Sequence, residues 1–438
     1  MLLPARRFAA IAFSLAASCV LLPIARADDG PAIDGRPVAK WLDLLAHGDD
    51  HERTLAMKAL GKGGKAVVPP LVALLKGDDA RTGAWAAETL GLVGEGAVEA
   101  ADALAAGLLR DGMDWPCAFA LERLGAPGVP GLVAGLAGER QGTRMAALVS
   151  LSKVGEALPA SALPALRKTV ADSDAEVRGA TASCLSRIAV APAIRLAVLA
   201  PLVADPSPDV RSQVVSALVA AAGGEPASVL PLALLSGDPD YGIRAAATTA
   251  LSKVPRGEGD DDVVANALAR GLADLDEHVR VAAIAGVVDG ALVDGVLGER
   301  VRAIEGDPSA RVRAEVVRVW GFSRAPDAEV RKRVETAFCD PDAIVRVVAA
   351  AAMVRRGYDV KRGLDFLLGE EGIYHGLETV RDAVVRSMGD LGPASAEARA
   401  RLEKITTDPA AEIRAAAQNA LRRLDEAAAR ATKATPPK

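Results

Sequence analysis

The chain has 438 residues, with 52 basic and 57 acidic side chains and a formal net charge of -5. An acidic chain with 3% aromatic residues lacks the basic surface, interleaved with aromatic rings, that binding to nucleic acid requires. Half of the residues are hydrophobic, and no break in composition divides the chain into separate globular domains, so one elongated array built from small apolar side chains is expected.

The N-terminal segment has the pattern of a secretory signal peptide. Arg6 and Arg7 precede an apolar run over residues 8–24, and the Ala-Arg-Ala sequence at 25–27 supplies a small-residue exit. This pattern predicts a signal peptide over residues 1–27, and the protein is therefore predicted to be exported, periplasmic or secreted, from a bacterial cell. The alternative is an uncleaved membrane anchor, because the run is close to the shortest length that crosses a bilayer. After cleavage no stable membrane span is predicted.

A short linker and a repeat array are predicted to follow. Residues 28–37 are predicted to be the linker, and residues 38–424 the array. The opening unit contains Trp41, and the next three units are divergent, with Gly83, Cys117 and Arg144 at the position that an arginine holds later in the chain. Divergent units near one end are interpreted as caps, and the alternative is a specialised binding end.

From residue 178 onward an arginine recurs at an almost constant spacing. The successive intervals are 33, 33, 36, 33, 33, 35 and 33 residues, which is typical of a repeat array. The arginines are Arg178, Arg211, Arg244, Arg280, Arg313, Arg346, Arg381 and Arg414. Each follows a valine or isoleucine, and apolar residues recur three and seven positions later. This spacing predicts a helix that buries one face.

Most of these arginines have an aspartate six positions earlier. The aspartates are Asp172, Asp205, Asp238, Asp274, Asp307, Asp340 and Asp408, and five of the seven precede a proline. An aspartate can cap the first turn and a proline can occupy the first helical position, so Asp-Pro is predicted to start this helix. The residues upstream are predicted to form a first helix, which makes two short helices per repeat.

The unit resembles the HEAT repeat, in the short bacterial HEAT-like form also seen in phycobilisome-lyase-type proteins. The pattern stands in this chain as Asp307-Pro308, Val312-Arg313 and Trp320-Gly321. The resemblance covers roughly residues 40–425. It implies an all-α fold, a right-handed α-solenoid or superhelix of about twelve HEAT-like helix pairs.

The resemblance also implies a structural role for the repeated charges. In HEAT arrays the corresponding side chains link neighbouring repeats in a ladder. An arginine at the same position of successive repeats agrees with that role. The predicted ladder contains Asp205, Arg211, Asp238, Arg244, Asp307, Arg313, Asp340 and Arg346.

A candidate binding surface follows from the same resemblance, which places the second helix of each repeat on the concave side. Positions one and five after the arginine lie opposite the buried stripe. The candidates are Ser212, Ser216, Ala245, Thr249, Val281, Ala314, Arg318, Val347, Asp382 and Arg386. Most are small and uncharged, so the groove is predicted to accept a protein segment with little desolvation of charge. The alternative is that small residues only permit tight curvature.

The sequence predicts no catalytic residue, no metal ligand and no cofactor. HEAT-like hydroxylases hold iron with several His-Glu pairs, whereas this chain offers only His51-Glu52, without the second histidine of a zinc helix. Cys117, Cys184 and Cys339 are predicted to be free thiols because they stand in repeats too far apart for a bridge.

These observations predict an exported HEAT-repeat scaffold that binds a protein or peptide partner, binds no nucleic acid and has no catalysis of its own. The alternative function is that of a HEAT-like enzyme, of the metal-hydroxylase or bilin-lyase type. A HEAT-like DNA-glycosylase type is disfavoured by the acidic balance and the predicted export. Residues 425–438, rich in Ala, Lys, Thr and Pro, are predicted to be a disordered tail.

Overall fold

The computed structural model describes residues 31–154, 158–222, 228–289, 296–323, 327–391 and 395–434. The chain divides into two compact units: unit 1 ends at Gly131, and unit 2 begins at Leu132. The predicted signal peptide lies outside the described residues, as do residues 28–30 of the predicted linker and the last four residues of the predicted tail.

Unit 1 consists of a small hairpin followed by paired helices. Its strands are β1 (Ala32–Ile33) and β2 (Arg36–Pro37), and its helices are α1 (Val38–His47), α2 (Asp50–Leu60), α3 (Val68–Lys76), α4 (Ala80–Val93), α5 (Ala101–Leu108) and α6 (Asp114–Arg123). Helix α7 (Val129–Gly135) contains the point at which the two units are divided. In each pair the first helix packs against the second.

Unit 2 continues the alternation of first and second helices. Its helices are α8 (Gln141–Lys153), α9 (Leu163–Thr169), α10 (Ala175–Leu185), α11 (Pro192–Leu199), α12 (Pro208–Ala222), α13 (Val229–Leu235), α14 (Tyr241–Leu251), α15 (Asp260–Leu272), α16 (Glu277–Asp289), α17 (Val296–Ala303), α18 (Ala310–Phe322), α19 (Asp327–Ala337), α20 (Ala343–Arg356), α21 (Val360–Leu367), α22 (Glu378–Ser387), α23 (Ser395–Ile405) and α24 (Ala411–Ala434). A 3-10 turn, Met388–Asp390, follows α22.

The even-numbered helices are the second helices, and in each unit successive second helices pack against one another. The predicted apolar stripe is the buried one: Val210, Val214 and Leu218 of α12 are each at most 1% exposed. A helix that buries one stripe needs neighbours on that side, and stacked pairs provide them. Each unit is therefore an all-α solenoid, and the predicted fold class is confirmed.

The prediction of a linker at residues 28–37 is wrong for the described part. The chain forms the β1–β2 hairpin over an Asp34-Gly35 turn, whose residues have positive φ angles of 49° and 76°. The indole Nε1 of Trp41 donates to the Ile33 carbonyl at 2.9 Å, and the Arg36 guanidinium lies 4.3 Å from the centre of the Trp41 ring. Asp-Gly is a strong hairpin signal, and Trp41 gives the hairpin a surface to pack on.

The prediction of a disordered tail is also wrong for residues 425–434, which continue α24. Leu424 is 3% exposed, so the helix is still anchored in the core at that point. Beyond it the sequence is rich in Ala, Arg and Glu, and Arg422 pairs with Glu426 one turn later at 2.8 Å. Strong helix formers and pairs at this spacing favour continuation, and no proline interrupts the chain before 436.

The predicted Asp-Pro helix start is displaced by two to three residues. Helix α14 begins at Tyr241, and its cap is Asp240, whose side chain accepts from the Ile243 amide, instead of Asp238. Asp238 accepts from the Asp240 amide, which closes a turn before the helix. The carboxylate of Asp238 thus binds the Asp240 amide and Arg211 of the preceding repeat. It is not available to cap α14, and Asp240 caps the helix instead.

Candidate functional site

The repeated aspartate and arginine side chains meet between neighbouring repeats. Arg178 Nε donates to Asp205 Oδ2 at 2.7 Å, and Arg178 Nη2 donates to Asp205 Oδ1 at 2.8 Å. Its Nη1 donates to the carbonyl oxygens of Asp172 and Ser173, in the loop that begins its own helix. One guanidinium therefore ties the loop of its own repeat to the loop of the next, with the paired geometry that arginine and carboxylate prefer.

We call each such two-bond arginine–aspartate pair a rung. Within the described residues, six successive second helices each contribute the arginine of a rung. The rungs are Arg144–Asp172, Arg178–Asp205, Arg211–Asp238, Arg244–Asp274, Arg280–Asp307 and Arg313–Asp340. Each aspartate pairs with the arginine of the preceding repeat and offers only its backbone carbonyl to the arginine of its own repeat.

Two rung aspartates, Asp205 and Asp340, have lowered pKa values that favour their charged form. The hydrogen bond from Arg178 is the largest cause that lowers the pKa of Asp205, and the Ser207 amide adds a second bond to the same carboxylate. The hydrogen bond from Arg313 likewise lowers the pKa of Asp340. Burial opposes both shifts, because it penalises a charge, but it is the weaker effect.

The series of rungs stops after Asp340. Arg346 Nη1 donates to the carbonyl oxygens of Asp340 and Pro341, as in the preceding repeats. Its Nη2, however, donates to Glu371, whose side chain is 59% exposed. His375 occupies the place where the next repeat would carry its aspartate. Arg346, predicted as a ladder residue, therefore makes an exposed pair instead of a buried rung.

The predicted concave residues do not form one continuous exposed surface. Ser212, Ser216, Asp382 and Arg386 are exposed; Ala245, Thr249, Val281 and Arg318 are half-buried; Ala314 and Val347 are buried. The prediction of a surface position is thus wrong for Ala314 and Val347. The reason is that α18 and α20 approach closely, so that position one after the arginine lies against the neighbouring second helix instead of solvent.

An open cavity of about 490 Å³ lies on the second helices α8, α10 and α12. Its lining includes Gly179 and Ala180 together with Met145 and Val149. The charged residues that line it, Glu176 and Asp209, are exposed. None of the ten candidate residues lines this cavity, so the groove expected from the small residues stays a prediction.

Arg318 is held by a second kind of cross-link. Its Nε lies 3.2 Å from Asp390 Oδ2, which reaches from α18 to the turn after α22. Arg355 of α20 donates from Nη1 to the Asp390 carbonyl at 3.0 Å and lies 3.7 Å from the centre of the Phe322 ring. Arg318 was predicted as a residue for partner binding, and in the structure it bridges two repeats.

Sequence reasoning missed large apolar side chains on the second helices of unit 1. Leu55, Leu92, Trp115 and Phe119 are each at least 40% exposed, and Trp85 is half-buried. We call these five residues the aromatic face. The signal was present in the sequence, because Leu55, Trp85 and Phe119 all stand two positions after the place of the repeat arginine.

The residues considered for metal binding have other roles. Glu52, beside His51, closes a capping box: its side chain accepts from the Asp49 amide at 3.0 Å, while Asp49 Oδ1 accepts from the Glu52 amide at 2.8 Å. Across the described residues, no group of three or more His, Cys, Asp and Glu side chains is placed to hold a metal ion. Cys117 and Cys184 are buried free thiols, and Cys339 is an exposed one.

A second cavity, of about 430 Å³, lies beside Trp320 in unit 2. Arg333 donates to Glu305 at 2.6 Å and to Glu329 at 2.8 Å, and the Arg333 guanidinium lies 5.1 Å from the centre of the Trp320 ring. The charges that line this cavity are thus paired with one another over an aromatic ring, in an arrangement that ties first helices together.

A family model described as HEAT repeats matches residues 38–124 and 196–287, which lie in unit 1 and unit 2 respectively. Residues 38–124 and 196–287 carry HEAT repeats. The resemblance read from the sequence is confirmed, and the rungs described above join successive HEAT repeats. No curated protein sequence matches the chain.

Several solved HEAT solenoids share the fold. An importin β structure aligns with a TM-score of 0.59 at 13% identity, covering 90% of this chain and 64% of that one. A complex of Kap95 with Nup1 aligns at 0.57 and 12%, with coverages of 91% and 60%. Kap121p bound to the extreme C-terminus of Cdc14p aligns at 0.58 and 13%, with coverages of 90% and 51%. The chain therefore spans between about half and two thirds of these karyopherins.

A helix that crosses a bilayer must be both long and apolar. Throughout the residues that the structure describes, no helix combines the length and the apolar character needed to cross a membrane.

Proposed function

We propose that the chain is an exported HEAT-repeat scaffold that binds a protein or peptide partner and has no catalysis of its own. The observation that carries the proposal is that the loops and the second helices of unit 2 have different roles. The rungs fix each repeat on its neighbour through the loops, while the second helices α8, α10 and α12 leave an open cavity with small residues in its lining. A rigid array with an open helix face suits the binding of a polypeptide segment.

The similar karyopherins support this proposal at the level of the fold. The structures of Kap95 with Nup1 and of Kap121p with the extreme C-terminus of Cdc14p show HEAT solenoids that hold protein segments. The support for export is the N-terminal pattern of two arginines, an apolar run and Ala-Arg-Ala at 25–27.

The binding experiment uses the chain from Asp28 onward as bait in the exported fraction of its source cell. Each recovered protein is then purified, and its affinity is measured by calorimetry for the parent chain and for Ala180→Arg, which places a large charged side chain in the cavity lining. We expect at least a tenfold loss of affinity with Ala180→Arg, since a buried unpaired charge opposes binding. The control is Lys361→Ala, an exposed residue on first helix α21 that should leave the affinity unchanged.

The rival enzyme function is tested on the same purified chain. Stoichiometric iron or zinc in the protein as isolated would favour the hydroxylase type and overturn the scaffold proposal. Export is tested by fusing residues 1–35 to a phosphatase that is active only outside the cytoplasm. An inactive fusion would contradict the export proposal and leave the binding proposal standing.

A further inference from the structure

The aromatic face concentrates exposed apolar side chains on the second helices of unit 1. Trp115 is 50% exposed and Phe119 is 40% exposed on α6, while α2 contributes Leu55 and α4 contributes Trp85 and Leu92. Aromatic residues make up only 3% of the whole chain. A cluster of large apolar side chains left in water on a folded protein marks an interaction surface.

The members of the face are contiguous, because the helices that carry them approach closely. A Cβ atom at Gly91 of α4 would lie 3.1 Å from Ala120 Cα and 3.4 Å from the Phe119 ring. A Cβ atom at Gly61, at the end of α2, would lie 3.0 Å from Leu92 Cβ. Both glycines are thus sites of close approach, and α4 packs against both α2 and α6.

The fold does not require large residues at these positions. The equivalent positions of unit 2, two residues after the repeat arginine, carry alanine in most repeats, for example Ala180, Ala246 and Ala282, and Gln213, Glu315 or Val348 in the others. The helices there pack in the same alternating order. Leu55, Trp85 and Phe119 are therefore not needed to stack a repeat. Each retains apolar area that would contribute on the order of 25 cal/mol per Å² once a partner covered it, and tryptophan is enriched among the residues that dominate binding energies.

One polar group on the face lacks a hydrogen-bond partner. The Nε1 atom of Trp85 is shielded from solvent and finds no hydrogen-bond acceptor among the described residues. Burial raises the pKa of nearby Glu88, one turn further along α4. A face that shields a donor without satisfying it is suited to an acceptor on a partner.

Exposed cations border the aromatic face. Each second helix contributes one: Lys58 on α2, Arg81 on α4 and Arg123 on α6. The Arg81 side chain is 69% exposed, at 3.8 Å from Asp50, and the Arg123 guanidinium lies 5.7 Å from the centre of the Phe119 ring. The described part of unit 1 is acidic, with 14 acidic and 10 basic side chains over residues 31–131, so this border differs in sign from the unit as a whole.

Carboxylates also stand on these three helices. Glu52, Glu88, Asp114 and Glu122 are half-buried, and Asp50, which is 86% exposed, lies 3.8 Å from Arg81. The exposed charges of the three helices are thus three cations and one carboxylate, so a complementary segment carries negative charge beside its apolar side chains.

We propose that the aromatic face is the docking surface for an amphipathic helix of a partner protein whose apolar stripe is flanked by acidic residues. Adjacent packed helices lie about 10 Å apart, and seven residues of a helix rise about 10.5 Å. Apolar residues at heptad spacing on the incoming helix therefore contact Leu55, Trp85 and Phe119 in turn. This inference rests on the proposed scaffold function and assigns the divergent first units to binding.

The probe is a synthetic 21-residue amphipathic helix with leucine and phenylalanine on one stripe and glutamate on both flanks. A second peptide replaces every glutamate by lysine. Binding to the chain from Asp28 onward is followed by fluorescence anisotropy at low salt. We expect the glutamate peptide to bind at least tenfold more tightly than the lysine peptide, and Lys58→Glu combined with Arg81→Glu to reverse that preference.

Matched serine variants locate the contact. Trp115→Ser and Phe119→Ser should each weaken the glutamate peptide at least tenfold, whereas Leu109→Ser, which alters a 55% exposed residue beyond α5, should leave it unchanged. Thermal unfolding of all three variants confirms that they are folded. Equal binding of the two peptides, or full binding to folded Trp115→Ser, would overturn the assignment.

The same variants separate this inference from the scaffold proposal. A natural partner that binds folded Trp115→Ser and Phe119→Ser at full affinity, but loses affinity for Ala180→Arg, would refute docking on the aromatic face and uphold the scaffold. A partner that requires Trp115 and Phe119 supports both.

Discussion

Arg318 Nε lies 3.2 Å from Asp390 Oδ2, although 72 residues separate the two along the chain. The bond links α18 to the turn after α22 and passes over α20, the second helix between them. At the position where α18 carries Arg318, α20 carries Ala351, whose side chain is too short to block the bridge. One ion pair thus joins two repeats that are separated by a third.

Removing the charge of Asp390 should loosen the link between these two repeats by a small amount. The two side chains are 31% and 28% exposed, so solvent screens the pair, and Asp390→Asn should cost about 0.5 kcal/mol of unfolding free energy. A double-mutant cycle with Arg318→Gln, measured by chemical denaturation, should return a coupling energy of about the same size. Strictly additive losses would show that the bridge contributes nothing.

Breaking a buried rung should cost much more. In the Arg211–Asp238 rung the two side chains are 12% and 4% exposed, so Arg211→Ala leaves a buried carboxylate without its partner and should lower the unfolding free energy by about 3 kcal/mol. The matched control is Arg346→Ala, which loses the same kind of carbonyl bonds but only an exposed pair with Glu371. Its loss should be smaller by about 2 kcal/mol in denaturant titrations. Equal losses would argue against a stabilising role for the rungs.

The rungs should make the unfolding free energy depend on pH in the acidic range. The pKa values of Asp205 and Asp340 are lowered below the ordinary value of 3.8, so the unfolded chain binds protons more readily than the folded one. The stabilisation is therefore complete above that ordinary value and is lost as the pH falls through the lower folded pKa. Denaturant titrations between pH 7 and pH 2.5 should show a plateau and then a fall beginning near pH 4. In Asp205→Asn combined with Asp340→Asn, stability at neutral pH should be lower and the fall on acidification shallower.

The cysteines should differ sharply in reactivity. Burial raises the pKa of both Cys117 and Cys184 to about 12, whereas Cys339 is exposed. Only a thiolate attacks a disulfide reagent, and a buried thiol is also inaccessible. The native chain from Asp28 onward should therefore react with one equivalent of Ellman's reagent at pH 8, and Cys339→Ser should react with none until denaturant is added. Fast reaction of a second thiol in the native Cys339→Ser variant would contradict the buried placement.

The repeat architecture could be predicted because its signals are periodic. The arginine frame, the branched residue before it and the apolar residue seven positions later recur in every copy, and their stripe is buried in the structure. The helix starts could not be placed to the residue. An Asp-Pro pair reads as a cap, but Asp238 is already occupied by Arg211 of the preceding repeat, and only three-dimensional contact reveals that competition.

The candidate surface was harder to predict than the ladder. Whether a residue such as Val347 faces solvent depends on how closely α20 approaches its neighbours, and the helical period alone does not fix that distance. The aromatic face was missed for a different reason. Leu55, Trp85 and Phe119 share one position in the repeat frame, but Gly83 and Cys117 replace the repeat arginine before Trp85 and Phe119, so the frame was hard to recognise where these two residues occur.

The direction of the rungs has a consequence for how such a chain can change its length. Every rung runs from the arginine of one repeat to the aspartate of the next, as Arg178 to Asp205 and Arg211 to Asp238 show. A duplicated block of 33 residues that begins just after one arginine and ends with the next therefore creates a junction with a complete pair on either side. Copies can therefore be inserted or deleted at such junctions while every remaining arginine keeps an aspartate partner. Gene duplication or deletion of whole repeats would then change the length of the array without leaving an unpaired rung residue at the junction.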